Sequence, residues 1–144
     1  HSTLRHNILV VTFSDRITGI TAEQLTGFFE GWPLPPTPET HLRILMGSSE
    51  VIIAREGGEI VGFITAITDD VLCAYIPLLE VKETHRSQGI GKELVRLMLL
   101  KLSDYYMIDL TCDSALRPFY VSQGMSALTA MSIRNRSRQS GRPE

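Results

Sequence analysis

The sequence has no excess of charge of either sign and no long apolar run. Lys and Arg number 14 against 16 Asp and Glu, which leaves a formal charge of −2 over 144 residues. Proteins that hold nucleic acid through bulk positive charge are strongly basic, so we expect no nucleic-acid partner. The longest nearly apolar stretch, residues 71–79, contains Pro77. A membrane-spanning helix needs about 20 apolar residues, so we expect no membrane partner either.

Cysteine is scarce, with only Cys73 and Cys112, far apart in the sequence. Their positions match no zinc-binding spacing, and we therefore predict no metal site. The first residues lack the apolar core of a secretion signal. We accordingly expect reduced thiols and a cytoplasmic location.

The composition is that of a globular protein, with 43% apolar and 21% charged residues. A chain of this size can bury one core, so we expect a single domain over residues 1–144. Residues 134–144 carry four arginines against one acid. We expect this stretch to be a flexible, solvated basic tail.

Hydrophobic periodicity predicts an alternation of strands and helices. Strands are predicted at residues 8–13, 50–55, 59–68, 72–82, 107–112 and 127–133. Helices are predicted at 22–32 after the N-cap Thr21, and at 38–46, 90–104 and 115–123.

The connections between these elements predict a mixed sheet. Gly57 and Gly58 separate two β-rich runs, which is typical of an antiparallel hairpin. The strand–helix–strand unit over residues 72–112 implies a right-handed parallel crossover. We therefore predict an α/β (α+β) fold with a mixed, mostly antiparallel sheet and helices on both faces.

The segment that carries chemistry is residues 81–92, where a buried strand gives way to an amphipathic helix. The first N–H groups of a helix have no partner within it and form a site for anions. Gly89 and Gly91 let a phosphate approach the main chain closely, and Arg86 adds a bidentate cation. The pattern predicts a phosphate or diphosphate site.

Two common phosphate motifs do not fit this segment. A Walker A loop requires Ser or Thr after Gly-Lys, but Glu93 follows Gly91-Lys92. A dinucleotide fingerprint requires a third glycine where Leu94 stands, and the chain after it is short for a doubly wound sheet. An unrelated nucleotide binder stays open as an alternative.

Two motifs resemble those of the GNAT N-acetyltransferase superfamily. The spacing Arg86-x-x-Gly89-x-Gly91 is similar to the family's motif A. Residues 113–125 are similar to its N-x-x-A-x-x-F-Y-x-x-x-G-F block. In that block three residues match and three differ: Phe119, Tyr120 and Gly124 match, while Asp113, Leu116 and Met125 stand for Asn, Ala and Phe.

The resemblance implies that two central parallel strands, at residues 72–81 and 107–112, splay apart to admit acetyl-CoA. Its pyrophosphate would lie on the loop and the first helical turn, formed by Arg86, Ser87, Gln88, Gly89, Ile90, Gly91 and Lys92. Its pantetheine would pair with main-chain groups of Leu79 and Val81. Asp113 would touch the pantetheine or adenosine side.

The resemblance also implies direct acetyl transfer to a primary amine of a small molecule or peptide. Tyr120 matches the tyrosine that protonates the leaving thiolate, and an N–H at Val81 or a neighbour would stabilise the oxyanion. Tyr75 stands near the place of a glutamate found in some members, so the base is open. We rank Glu80 ahead of Asp109, with a water chain as a third choice.

The missing glutamate leaves a second function open, a non-catalytic domain that binds or senses acyl-CoA. The sequence does not identify the amine acceptor. Many relatives form dimers, so a homodimer is a further expectation from the resemblance.

Overall fold

A hairpin of two long strands forms the spine of the molecule. We describe residues 10–144 from a computed structural model. The strands are β1 (Val11–Ser14), β2 (Glu50–Glu56), β3 (Glu59–Thr68), β4 (Cys73–Tyr75), β5 (Leu79–Val81) and β6 (Met107–Asp109). The α-helices are α1 (Pro38–Gly47), α2 (Ile90–Lys101) and α3 (Arg117–Ser122).

The sheet runs in the order β1–β2–β3–β4–β6, and β5 pairs with the other half of β3. All pairings are antiparallel except β4 with β6, which is parallel. This confirms the predicted mixed, mostly antiparallel sheet. The hairpin of β2 and β3 closes through Gly57 and Gly58, both at positive φ, as the Gly-Gly turn predicted.

Alternate side chains of the spine feed two cores, one on each face of the sheet. On one face, α2 packs Leu94 and Met98 onto a cluster that includes Ile64. On the other face, Leu45 of α1 packs with Phe63. Helices therefore cover both faces, as predicted.

Gly62 of β3 allows α2 to lie close to the sheet. A Cβ atom there would come within 3.1 Å of the Glu80 carbonyl oxygen and 3.3 Å of Leu94 Cδ1. A larger residue would therefore push the helix outward and displace its N-terminus from β5.

The predicted strand over residues 72–82 is in fact two short strands. It breaks over residues 76–78, between β4 and β5, and both pieces pair with β3. Pro77 lies in the break and has no N–H to donate to a sheet ladder. The strand predicted at 107–112 is also shorter and ends at Asp109.

Residues 22–32 do not form the predicted α-helix, which was wrong. A single 3₁₀ turn, Ala22–Leu25, takes its place. Gly27 and Gly31 follow at φ values of 87° and 83°, in the left-handed region that ends a helix. The apolar residues were correctly placed in the core, since Leu25, Phe28 and Phe29 are buried.

Two further predictions near the C-terminus need correction. The helix predicted at 115–123 is a 3₁₀ turn, Ser114–Leu116, followed by α3. The strand predicted at 127–133 was wrong, because these residues pair with no strand among residues 10–144. The strand predicted at 8–13 is seen from Val11, and residues 8 and 9 lie outside the described residues.

The basic tail makes two hydrogen bonds with the region around α1. The Leu34 N–H donates to Gln139 Oε1 at 2.7 Å, and Arg43 Nη1 donates to the Arg142 carbonyl at 3.0 Å. Its flexibility stays a prediction. In the described part of the chain, no helix has both the length and the apolar character needed to cross a bilayer.

Candidate active site

A crevice opens where the two parallel strands part. Strands β4 and β6 are paired from Cys73 to Tyr75, and a last bond joins the Ile76 N–H to the Asp109 carbonyl at 2.9 Å. Beyond it β5 pairs only with β3, and the chain after Asp109 leads away. The crevice between them measures about 450 Å³. It is lined by Ile76, Pro77, Leu79, Leu110, Thr111, Cys112, Asp113, Leu116, Tyr120, Ser132 and Arg134.

The edge of β5 that faces away from β3 presents main-chain groups to this crevice. The Leu78 carbonyl accepts from Thr65, and the Lys82 N–H donates to Val61, so even-numbered residues bond to β3. In an antiparallel pair the bonding direction alternates along the strand. The N–H and C=O groups of Leu79 and Val81 therefore point toward the opposite, unpaired edge.

The N-terminus of α2 forms an open cluster of amides, which we call the amide cradle (the N–H groups of residues 88–92). Gly89 is the N-cap at φ 82°, and a Cβ atom built there would meet nothing within 4 Å. Residues 86–89 are exposed, so bulky neighbours do not fill the cradle. The first-turn N–H groups have no acceptor within the helix and carry its positive dipole end.

The amide cradle and the crevice meet along β5. A Cβ atom on Gly91 would lie 3.7 Å from Val81 Cγ2, and Leu79, two residues along the same strand, lines the crevice. Two residues of strand span about 6.6 Å. Arg86 fixes the loop between β5 and α2, because its Nε donates to the Val81 carbonyl at 3.1 Å.

Tyr120 brings a protonated hydroxyl to the crevice wall. It is half-buried against the core under α2. Burial raises the pKa of Tyr120, and the nearby Cys112 raises it further. The hydroxyl therefore holds its proton throughout the neutral range.

This combination of splayed strands, amide cradle and tyrosine is matched by a family model. The acetyltransferase (GNAT) family model covers residues 17–125. The chain belongs to the GNAT acetyltransferase family. No curated protein matches the sequence significantly.

Several solved structures share this fold. A protein from Deinococcus radiodurans R1, assigned as an acetyltransferase, is 46% identical at a TM-score of 0.90, and the match covers 93% of this chain and 94% of that one. Glucosamine-6-phosphate N-acetyltransferase from Arabidopsis thaliana matches at 15% identity and a TM-score of 0.65, covering 87% and 97%. The ribosomal-protein-alanine N-acetyltransferase from Brucella melitensis matches at 17% and 0.64, covering 88% and 99%. The last two show the fold alone.

In this acetyltransferase Glu80 does not line the crevice. Its side chain lies toward the opposite core, where Oε1 accepts the Phe29 N–H at 2.8 Å. Oε2 is buried and has no partner among the described residues. Burial raises the pKa of Glu80, while the Phe29 N–H and then Arg86 act to lower it.

Asp109 also lies outside the crevice. It is exposed at the end of β6, opposite Tyr75, and lines a larger cleft that adjoins the crevice and shares Tyr120 with it. Of the predicted site residues, the crevice wall therefore unites Leu79, Asp113 and Tyr120.

Sequence reasoning missed several crevice residues. Thr111 lies two residues after the end of β6, and its hydroxyl lies 3.0 Å from the Tyr75 hydroxyl. Arg134 approaches Thr111 Oγ1 through Nη2 at 3.5 Å. Position after a parallel strand could have indicated Thr111, but no motif signals Arg134, which the sequence assigns to the tail.

Proposed function

We propose that this protein transfers the acetyl group of acetyl-CoA to a primary amine of a small molecule or peptide. One observation carries the proposal. The amide cradle and Tyr120 stand at two ends of one unpaired main-chain edge, that of β5, as a long ligand with phosphates at one end requires.

The amide cradle suits the pyrophosphate of the donor. Its N–H groups converge on an open surface, Gly89 offers no side chain, and the dipole of α2 favours negative charge. Arg86 adds positive charge beside it. Amide donors and a helix end suit this anion better than a neutral ligand.

The edge of β5 suits the pantetheine arm. That arm contains two amide groups, and it can pair with the N–H and C=O of Leu79 and the N–H of Val81 as an added short strand does. The Val81 carbonyl already accepts from Arg86. The thioester would then lie in the crevice, in front of Tyr120. Among these two residues only Leu79 lines the crevice, so its N–H is the better placed donor to the oxyanion.

The transfer then needs only groups of the chain, the two substrates and water. The neutral amine attacks the thioester carbonyl, and a C–N bond forms while the Leu79 N–H stabilises the oxyanion. The C–S bond breaks as the intermediate collapses, and Tyr120 gives its proton to the departing thiolate. The ammonium proton of the attacking amine passes to water and from there restores Tyr120. Holding both substrates together supplies a large part of the rate.

A second function, acyl-CoA binding without turnover, is favoured by one observation. Neither Glu80 nor Asp109 lines the crevice, so neither acid that we considered as a base stands beside the thioester. An amine that binds in its neutral form can attack without a carboxylate base. Acetyl transfer and acyl-CoA binding therefore differ only in whether the protein turns over its substrate.

Two measurements on the purified protein test these functions. Calorimetric titration with CoA, ATP and NAD should show tightest binding to CoA, because ATP and NAD cannot add a strand to β5. Thiol release from acetyl-CoA should then depend on an amine drawn from a panel of polyamines, amino sugars and peptides. Tight CoA binding with no amine-dependent release would favour the binding function, and preference for NAD or ATP would refute both.

A further inference from the structure

One arginine lines the crevice without an acidic partner. Among the described residues that form the crevice wall, Arg134 is the only basic one. Asp113 lines the same crevice and Asp109 lines the adjoining cleft. Within residues 10–144, however, Arg134 forms no ion pair with these or any other acids. A guanidinium has five N–H donors in a planar fork that fits a carboxylate or a phosphate, so Arg134 has donors left for a ligand.

The hydrogen bonds that the Arg134 side chain does make are long. Nη1 donates to the Ile133 carbonyl and Nη2 donates to Thr111 Oγ1, both at 3.5 Å. An N–H···O bond is usually about 2.9 Å long, so both are weak contacts. They hold the guanidinium beside Thr111 and satisfy little of its capacity to donate. A charged oxygen atom would form shorter and stronger bonds with it.

Three hydroxyl side chains line the crevice together with Arg134. They belong to Thr111, Tyr120 and Ser132. The Thr111 hydroxyl also lies 3.0 Å from that of Tyr75. Each hydroxyl group can donate one hydrogen bond, and a guanidinium supplies the positive charge, so this wall has the chemistry of a site for a small anion.

The segment that follows Arg134 is attached to the body of the protein. Its next residues form a 3₁₀ turn, Arg136–Arg138, and Oε1 of Gln139 then accepts the Leu34 N–H at 2.7 Å. The position of Arg134 at the crevice is therefore fixed from the side of the proline-rich loop. Residues 134–143 contain four arginines and no acid, in a chain whose formal charge is −2. This local positive charge attracts anions toward the crevice.

We propose that the acceptor of this acetyltransferase is a small amine that also carries an anionic group, a carboxylate or a phosphate, and that Arg134 binds that group. The inference rests on the proposed acetyl transfer. Tyr120 and Arg134 line one crevice of about 450 Å³, so the attacking amine and the bound anion would be a few bonds apart. Binding the anion would fix the amine in front of the thioester.

The anion at Arg134 differs from the phosphates of the donor. The amide cradle lies next to Val81, and neither Val81 nor the residues of the cradle line the crevice. All the phosphates of acetyl-CoA are at the end of the molecule that is far from the thioester. The two anion sites therefore lie at opposite ends of the β5 edge, and the affinity for CoA should not depend on Arg134.

Acetyl transfer to matched pairs of amines tests the proposal. Each pair consists of an anionic amine and its neutral counterpart. β-Alanine and its amide test a carboxylate, and phosphoethanolamine and ethanolamine test a phosphate. In the wild-type protein, kcat/KM should be at least tenfold higher for the anionic member of one pair, and that pair identifies the anion.

Variants of Arg134 show whether this residue causes the preference. Arg134→Gln removes the charge and keeps a polar side chain, so the ratio of kcat/KM within the preferred pair should fall at least tenfold. Arg134→Lys keeps the charge without the fork and should retain part of the ratio. Arg136→Gln is the matched control, because it removes an exposed arginine that lies outside the crevice, and its ratio should equal that of wild type. Comparing ratios between proteins cancels the different basicities of the two amines.

Binding measurements separate this inference from the proposed function. Calorimetric titration of the protein–CoA complex with the same amines should show tighter binding of the anionic member, and Arg134→Gln should abolish the difference. This result without acetyl transfer to any amine would support the anion site and refute the transfer. Equal kcat/KM for anionic and neutral amines would overturn the inference and leave acetyl transfer intact. A preference that Arg134→Gln leaves unchanged would overturn it too, as would a CoA complex that binds neither anionic amine.

Discussion

The main-chain N–H of Phe29 donates a hydrogen bond to Oε1 of Glu80 at 2.8 Å, across 51 positions of sequence. Phe29 is buried at φ 61°, a left-handed conformation that costs a non-glycine residue about 1–2 kcal/mol. The bond to Glu80 holds this turn in place at the start of the proline-rich loop. The geometry thus gives Glu80 an anchoring role, on the face of β5 opposite to the crevice edge.

The first prediction separates anchoring from catalysis at Glu80. Glu80→Gln keeps an oxygen that accepts the Phe29 N–H, so kcat should stay within about threefold of wild type and stability should change little. Glu80→Ala leaves that N–H buried and unpaired, which should lower the free energy of unfolding by about 1–3 kcal/mol. Urea denaturation and steady-state kinetics measure the two effects.

Glu83→Ala, which removes a nearby exposed carboxylate, is the control and should match wild type. If Glu80→Gln were stable but lost about a hundredfold in kcat, together with the acidic limb of the pH profile, Glu80 would be the general base after all.

The second prediction concerns the proton donor. Tyr120→Phe removes only the hydroxyl, so kcat should fall about 10²–10⁴-fold while KM for acetyl-CoA changes little. Tyr106→Phe is the matched control, because that hydroxyl belongs to an exposed side chain outside the crevice. Equal kcat for Tyr120→Phe and wild type would assign protonation of the thiolate to water.

The third prediction places a charge at the amide cradle without disturbing the helix. Ser87 has φ 64°, a conformation that Asp and Asn tolerate better than most residues. Ser87→Asp should leave the melting temperature unchanged or slightly raised, because an acid near a helix N-terminus is favourable. It should nevertheless weaken CoA binding about tenfold by repelling the pyrophosphate.

Ser87→Asn is the neutral control of nearly equal size and should bind CoA as wild type does. This pair is cleaner than a change at Gly89, where φ 82° would strain any side chain regardless of the ligand. If both Ser87 variants bound CoA equally, the phosphates would have to lie elsewhere.

Local signals predicted the elements that depend on neighbours in sequence. The helix predicted at 38–46 is found as Pro38–Gly47, because Thr37 caps it and Pro38 opens it. The hairpin of β2 and β3 follows from its Gly-Gly turn. The helix predicted at 22–32 was wrong because two glycines in this segment adopt positive φ. Tertiary packing nevertheless buries the apolar residues that suggested the helix.

The site also contains residues that local motifs predict and residues that only the fold brings together. Leu79, Gly89 and Tyr120 follow from motifs of fixed spacing, and the structure places them along one edge and one crevice. Thr111 and Arg134 come together only because β4 and β6 part at Asp109. The side on which Glu80 lies depends on the break at residues 76–78, which fixes the register of β5 on β3.

The last prediction concerns acid stability and arises from His41. His41 is 1% exposed, and its ring centroid lies 4.4 Å from that of Phe63 and 4.9 Å from that of Phe29. Burial lowers the pKa of His41 to about 4, although the main chain of Leu25 acts to raise it. The folded protein therefore holds the ring neutral where the unfolded chain binds a proton.

This difference in proton binding makes the protein less stable as the pH falls. Because the pKa of His41 is lower in the folded protein, the free energy of unfolding has its full value above about pH 6.5. It decreases as the pH falls toward 4, by about 3 kcal/mol in total. His41→Leu should be about as stable as wild type at pH 7, since it replaces poorly paired, buried polar atoms with apolar ones. Below pH 6 its unfolding free energy should exceed that of wild type by a margin that grows with acidity. Urea denaturation of both proteins from pH 7 to pH 4 measures this margin. Because other groups titrate equally in both, two parallel curves would show that His41 titrates in the folded state as it does in the unfolded chain.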